Sequence, residues 1–344
     1  MELVDQLSRQ MHVHGGLARA AAVRMAYTTY SRLLLRWQDR PNPAALASLR
    51  RRLEQLFEED WQDAHDGLTA SEALPWREYA QAFPRLLADL PRTRTRIVNE
   101  DFEDLPEDAA PERYPRYYAR NFHYQSEGYL GHTSAALYDL QVELLFGGTA
   151  DVMRRRLVPP IVHFARAQGA SRKQPIRVLD VACGTGHLLR MVGAALPAEA
   201  RLFGVDLSPH YIARAREVLP RDLDVSLLCD NAEKLPFLDA SFDAVTNLYL
   251  LHEVPSDVRD RVLAEMVRVL RPGGLFVIGD SLQLSDAPEL ERELLAFPAR
   301  FHEPYYPGYL RGNLKANVSE LGLRVTGEKH AFLTKIVTAE KPQH

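Results

Sequence analysis

Apolar positions recur at two different spacings along this chain, and the change falls near residue 176. Before it the spacing is helical: Leu33, Leu34 and Trp37, then Leu46, Leu49, Leu53, Leu56 and Phe57, with Pro41-Asn42-Pro43 breaking the two helices. A further helical run spans Ser71 to Leu90, and Pro91 is expected to end it. Val98 to Pro115 is acidic and proline-bearing and reads as a surface loop or linker. Aromatic residues then crowd Tyr114 to Leu130 around a glycine turn, and helices are predicted from Ser134 to about Phe146 and from Asp151 to Ala167.

After residue 176 the pattern is that of strands. Val178-Leu179-Asp180 ends a β-branched run in an acid and leads through Ala182-Cys183-Gly184-Thr185-Gly186 into an apolar helical pattern (Leu188, Leu189, Met191, Val192). Strand, tight loop and helix start follow in that order. Phe203 to Asp206 is a second strand ending in an acid, and Leu227 to Asp230 a third, followed by Asn231 and Ala232. Phe242 to Leu248 is a fourth, and Leu270 to Ile278 leads into a fifth. Asn313 to Leu321 reads as a helix terminated by Gly322. Two alternating runs, Leu323 to Lys329 and Ala331 to Thr338, are separated by a very short connection, which fits an antiparallel hairpin.

In this order and spacing the segments resemble the class I S-adenosylmethionine (SAM)-dependent methyltransferases, from about Ile176 to the C-terminus. The resemblance implies an α/β, Rossmann-like, doubly wound seven-stranded sheet of order 3-2-1-4-5-7-6 with strand 7 antiparallel. An all-helical N-terminal domain (residues 1–113) and an aromatic-rich connecting or lid segment with helices (114–175) would precede the SAM-binding domain (176–344). It also implies a cofactor site, position by position. Gly184 and Gly186 let the backbone approach the amino-acid end of SAM, organised by Asp180. Asp206, with Leu207 beside it, accepts the ribose hydroxyls. Asp230 and Asn231 face the adenine, and Asn247 and Leu248 the sulfonium side. The chain departs from the family at Ala182, where the first of three alternating glycines usually stands. A helix N-terminal role for Asp206 is less apt, since Ser208-Pro209 supplies that helix with a cap and first-turn residue. NAD is the competing cofactor, yet a dinucleotide site wants a glycine in the helix's first turn, where His187-Leu188-Leu189-Arg190 stands.

Methyl transfer requires positioning, exclusion of water and, for a protonated nucleophile, a base. Three clusters offer such groups. His252 and Glu253 follow the fourth strand, where this fold meets its acceptor. His252 has the unperturbed pKa of a general base, and strand-end packing is the competing role. Phe301-His302-Glu303-Pro304-Tyr305-Tyr306-Pro307 follows the fifth strand after apolar helical residues (Leu290, Leu294, Leu295, Phe297) and has the composition of a lid, with a rigid loop as the alternative. Here Tyr305 and Tyr306 are catalytic candidates, and His302 and Glu303 substrate-binding ones. Tyr117, Tyr118, Asn121, Phe122, His123, Tyr124 and Gln125 form the third cluster, for which ordinary core contact competes with substrate binding. Metal-ligand spacing is not evident, so metal independence is expected.

Composition changes this picture little. Hydrophobic residues make up 46% and charged ones 26% of 344 residues, with a net charge of −4, so no global basic field attracts nucleic acid or an anionic membrane. Acids interleave with the cluster Arg50-Arg51-Arg52, which with Arg154-Arg155-Arg156 reads as a solvated helix face. No apolar run spans a bilayer and no signal-peptide core is evident, so a cytoplasmic enzyme is expected. In the implied strand order Cys183 and Cys229 stand about 10 Å apart, two strand spacings, too far for a disulfide; both are expected to be reduced wall residues. An Asn/Asp-Pro-Pro-Tyr/Phe signature is replaced by Asn247-Leu-Tyr-Leu, which favours a small-molecule acceptor. The expected partners are therefore a small molecule, neither nucleic acid nor membrane, and, as an open assembly, a second copy in a homodimer. Intramolecular cyclisation or cleavage of SAM, releasing methylthioadenosine, stays open beside methyl transfer.

Overall fold

A computed structural model describes residues 2–30, 42–70, 75–106, 109–169 and 174–343. Its centre is one sheet of β1 (Arg177–Val181), β2 (Arg201–Asp206), β3 (Val225–Cys229), β4 (Phe242–Leu248), β5 (Leu270–Ser281), β6 (Arg324–Ala331) and β7 (Thr334–Glu340), in the order β3-β2-β1-β4-β5-β7-β6. β1 to β5 run parallel, whereas β7 pairs antiparallel with both β5 and β6. This is the implied topology. The central strands are buried on both faces. Along β1, Val178 joins one apolar layer while Leu179 and Val181 join the other, and along β5 Val277 opposes Phe276 and Ile278 in the same way.

The helices before the sheet are α1 (Glu2–Tyr30), α2 (Pro43–His65), α3 (Trp76–Asn99), α4 (His132–Leu145), α5 (Ala150–Arg155) and α6 (Val158–Gln168). Those around it are α7 (His187–Ala195), α8 (Pro209–Val218), α9 (Ser256–Val269), α10 (Glu291–Phe301), α11 (Tyr306–Leu310) and α12 (Leu314–Glu320). Val13, Ala20, Leu53, Leu56 and Phe57 of α1 and α2 lie in the same apolar layer as Met153, Ile161 and Val178. Gly16 is required there, because a Cβ would come within 2.5 Å of the Phe57 ring. Beneath this layer Arg155 makes a two-pronged ion pair with Asp60, at 2.6 and 2.9 Å.

Several expectations are corrected. Pro91 does not end a helix: α3 runs through both Pro84 and Pro91 to Asn99. Beyond Pro91, buried Arg96 pairs with Asp104 at 2.9 Å and reaches Ser126 at 3.0 Å, so tertiary anchoring offsets the lost backbone hydrogen bonds. The helix foreseen from Asp151 to Ala167 is two, divided at Arg156-Leu157, where Pro159 and Pro160 lack the donors to continue the first. Arg154, Arg155 and Arg156 are not a solvated face but are buried against Asp151, Asp60 and Glu59. Cys183 is buried, but Cys229 is exposed, at the end of the edge strand β3, and lines no core. Leu33, Leu34, Trp37, Pro41 and the start proposed at Ser71 lie outside the described residues. Among the described residues, no helix is long and apolar enough to cross a membrane.

Candidate active site

The carboxyl ends of β1, β2, β3 and β4 open on a cleft of about 830 Å³, part of it open to solvent. The glycine loop forms its floor. Ala182, Gly184 and Gly186 all have positive φ (56°, 53° and 80°), so the turn needs three residues in the left-handed region. Alanine occupies one of them at a cost of about 1 kcal/mol. A Cβ on Gly184 would meet only the Tyr211 ring, at 4.0 Å, which leaves an open cradle above the backbone. Gly186 serves packing instead: a Cβ there would press on Ala215 of α8 at 3.2 Å.

Asp206 accepts the Gly184 amide at 2.8 Å through one carboxylate oxygen and the Ser208 amide at 2.9 Å through the other. Burial pushes its pKa up to about 6, against the opposing pull of these amides. The carboxylate lines the cleft, and its two oxygens have more acceptor sites than these two amides fill. Ser208 caps α8 by accepting the Tyr211 amide at 3.3 Å, and Pro209 follows, which leaves Asp206 free of the capping role. Ala182, Gly184, Asp206, Leu207, Asp230, Asn231 and Leu248 all line this cleft. Asp180 and Asn247 stand behind it. Asp180 is 2% exposed, with Oδ1 lacking a hydrogen-bond partner, and burial followed by the charge of Asp206 holds its pKa well up. Asn247 donates to the Val181 carbonyl at 2.6 Å, tying β4 to β1.

Aromatic residues of the N-terminal segment roof the cleft: Tyr117, Tyr118 and Phe122, joined by Tyr129 and Tyr138. Tyr117 donates to Glu233 at 2.6 Å. The glycine cradle, an acid at the end of β2, an acid-amide pair after β3 and a ceiling of ring faces match the amino-acid, ribose, adenine and sulfonium parts of SAM in turn. The residues present fit the cofactor.

A second cavity of about 910 Å³, also partly open, adjoins the first and shares Tyr138, Tyr249 and Glu253 with it. Its walls are largely apolar, from Leu49, Val142, Phe146, Leu290, Leu294 and Phe297. At the junction four groups alternate. Glu253 Oε1 lies 3.4 Å from His123 Nε2, His123 Nδ1 lies 3.4 Å from Glu303, His252 Nε2 lies 3.8 Å from Glu303, and 3.9 Å separates His252 from Glu253. Tyr129 donates to Glu253 at 2.6 Å. Behind the ring, Asp280 Oδ1 meets His252 Nδ1 at 2.5 Å, and its Oδ2 accepts the Leu251 amide at 2.8 Å. Burial disfavours the His252 imidazolium, but Asp280, then Glu303 and Glu253, push its pKa up to about 10. His123 is raised likewise: burial opposes its charge, and Glu253 and Glu303 overcome it. Glu303 is raised by burial, against the pull of the two imidazoles.

Backbone geometry sets these side chains. His302 takes the left-handed conformation that terminates α10 (φ 49°), and the Glu303 amide reaches back to the Pro298 carbonyl at 3.0 Å, turning Glu303 inward. Tyr249 also has positive φ, 58°, and stacks on Phe146 between the cavities.

Of the remaining candidates, Tyr306 lines the second cavity and bonds Ser281 through its hydroxyl. Tyr305 packs instead against the cluster of Phe122, Tyr129 and Tyr211. His302 stacks on Phe102, ring centroids 3.6 Å apart, outside both cavities. Asn121 is wholly buried, holding the Asp104 and Gln125 carbonyls at 2.9 and 2.8 Å. Tyr124 and Gln125 line a neighbouring apolar cavity with His123. Sequence reasoning missed Tyr129, Tyr138, Tyr249 and Asp280. Asp280 carried a usable signal, since it follows the apolar run of β5 as Asp206 ends β2.

A family model described as a methyltransferase domain matches residues 178–274. The ubiquinone/menaquinone biosynthesis C-methyltransferase of Methylobacterium nodulans is 33% identical over 200 residues, covering 58% of this chain and 69% of that one. The demethylmenaquinone methyltransferase of Thermus thermophilus is 37% identical over 145 residues, 42% of this chain and 60% of that one. Among solved structures, a SAM-dependent methyltransferase from Aquifex aeolicus aligns with a TM-score of 0.38 at 20% identity, covering 48% of this chain and 82% of that one. Fold and cleft define a Rossmann-like SAM-binding protein. The chain belongs to the class I SAM-dependent methyltransferases.

Proposed function

We propose that the chain transfers the SAM methyl group to a small acceptor that has a ring or other apolar body and a polar reacting head. The observation that carries this is the sharing of Tyr138, Tyr249 and Glu253 by the two cavities, so that a donor in one and an acceptor in the other meet at one wall. SAM supplies an electrophilic methyl on a sulfonium. The protein's own residues do the rest. Asp206, Asp230 and Asn231 bind and orient the cofactor, with Asp180 and Asn247 fixing the loop and strand behind. Tyr117, Tyr118 and Phe122 close over it and exclude water, with residues 114–175 as a lid between a helical N-terminal part (1–113) and the SAM domain (176–344). Tyr306 and the apolar walls hold the acceptor body, and Tyr305 braces the lid. His252 acts as a fixed cation: with its pKa near 10, it is charged at neutral pH and steadies developing negative charge on the acceptor. The two curated relatives act, by their names, on quinone precursors, which agrees with a ring-bearing acceptor.

Incubation with SAM alone and with a panel of hydroxylated naphthalenes, followed by mass spectrometry, tests this. S-adenosylhomocysteine and a methylated acceptor are expected only when the acceptor is present. Methylthioadenosine from SAM alone would replace methyl transfer by cleavage or cyclisation of SAM.

A further inference from the structure

Glu303 is 1% exposed and borders the second cavity, yet among the described residues neither of its carboxylate oxygens has a hydrogen-bond donor. A buried acceptor left unsatisfied costs about 1–3 kcal/mol, and more for a charged one. The flanking residues do not remove that cost: the nearest imidazole nitrogens stand 3.4 and 3.8 Å away, outside good hydrogen-bond geometry. The groups facing it are His123 from the lid, His252 and Glu253 after β4, Asp280 at the end of β5 and Tyr306 on α11. Three carboxylates therefore face two imidazoles, and one carboxylate is left without a matching cation. Asp280 is committed to His252 and the Leu251 amide, and Glu253 to the Tyr129 hydroxyl. Only Glu303 retains both oxygens for a ligand.

We propose that Glu303 receives the proton of a hydroxyl group on the acceptor, so that the cavity takes weakly acidic ring hydroxyl compounds and ionises them beside His252. This rests on reading the second cavity as the acceptor site. In the step, the acceptor O–H bond breaks, its electron pair stays on oxygen and the proton passes to a Glu303 oxygen. That electron pair bonds to the methyl carbon while the S–C bond breaks, its pair going to sulfur, which leaves a neutral thioether. Glu303 then returns its proton to solvent. Burial raises the pKa of Glu303 above the ordinary carboxylate value, against the pull of His252 and His123, which makes it a stronger proton acceptor than a surface carboxylate.

The test uses the full chain loaded with S-adenosylhomocysteine, with 4-nitrophenol and its methyl ether 4-nitroanisole as probes, the former reporting its ionisation by visible absorbance. Wild-type protein is expected to bind 4-nitrophenol at least tenfold more tightly than 4-nitroanisole, and to hold it as the phenolate at a pH where the free dye is mostly neutral. Glu303→Gln is expected to lose at least tenfold in 4-nitrophenol affinity and to return the dye's ionisation toward its solution value, with 4-nitroanisole and S-adenosylhomocysteine binding unchanged. Equal binding of the two probes to wild type, or binding of neither, overturns the proposal without any variant. A folded Glu303→Gln protein that still binds 4-nitrophenol with wild-type affinity and holds it as the phenolate to the wild-type extent overturns it as well. Failure to bind S-adenosylhomocysteine overturns the methyl-transfer reading along with it, whereas binding of S-adenosylhomocysteine without preference for the phenol sinks the Glu303 role alone.

Discussion

Replacing Asp280 by Asn removes the charge that holds His252 while keeping a carbonyl oxygen for the Leu251 amide. Two routes give the size of the effect. Breaking a buried pair by removing one partner costs about 3–5 kcal/mol. Independently, a folded-state His252 pKa of about 10 against about 6.5 unfolded is worth about 4 kcal/mol at pH 7 and about 1.5 kcal/mol at pH 9. Because the folded value is raised, this stability is complete below pH 6.5 and is lost as pH climbs through 10. Asp280 is the largest of three charges that raise His252, so Asp280→Asn should be destabilised by up to about 4 kcal/mol at pH 7, and the gap to wild type should close by up to about 2.5 kcal/mol by pH 9. Urea unfolding followed by tryptophan fluorescence at pH 6, 7, 8 and 9 measures both. A gap that stays constant over this range, or widens, would refute a charged His252 held by Asp280.

Asp206→Ala should weaken SAM binding by about 1.5–3 kcal/mol through loss of charge-assisted hydrogen bonds, and calorimetry showing wild-type affinity in a folded variant would remove Asp206 from the ribose site. If the aromatic segment closes over the cofactor, S-adenosylhomocysteine should slow hydrogen exchange at the amides of residues 114–130, whereas unchanged exchange there would make it a fixed wall. Arg155→Ala leaves the buried Asp60 carboxylate with His12 alone and should cost up to about 3–5 kcal/mol, read as a lowered urea midpoint at neutral pH. Acid also bears on this pair: the folded pKa of Asp60 is lowered, since His12 and Arg155 outweigh burial, so its stabilisation disappears as pH falls through that depressed value. Ala182→Gly relieves a left-handed alanine but loosens the unfolded chain, so stability should change by no more than about 1 kcal/mol in either direction; a loss beyond 2 kcal/mol in calorimetry would contradict the relaxed turn.

What the sequence by itself determined is what local rules govern. Strands ending in acids, a glycine turn and a closing hairpin are short-range signals, because strand period, positive φ and capping each depend on a few adjacent residues. Those signals carried the family resemblance, and through it Asp206, Gly184, Asp230 and Leu248 were expected at the cleft they line; Ser208-Pro209 as the start of α8 and Gly322 after α12 were legible directly. Tertiary structure decided the rest. Pro91 reads as a helix end until Arg96 finds Asp104 and Ser126, and the arginines at 154–156 read as solvated until Asp60, Glu59 and Asp151 meet them in the interior. The same holds for the chemistry at the junction. His123, His252, Asp280 and Glu303 lie on four separate segments, and no spacing along the chain announces that they converge. His252 is a base of ordinary pKa in the sequence and a cation in the fold, because a proton's free energy depends on the charges packed around it and on the water excluded, which only the assembled interior fixes.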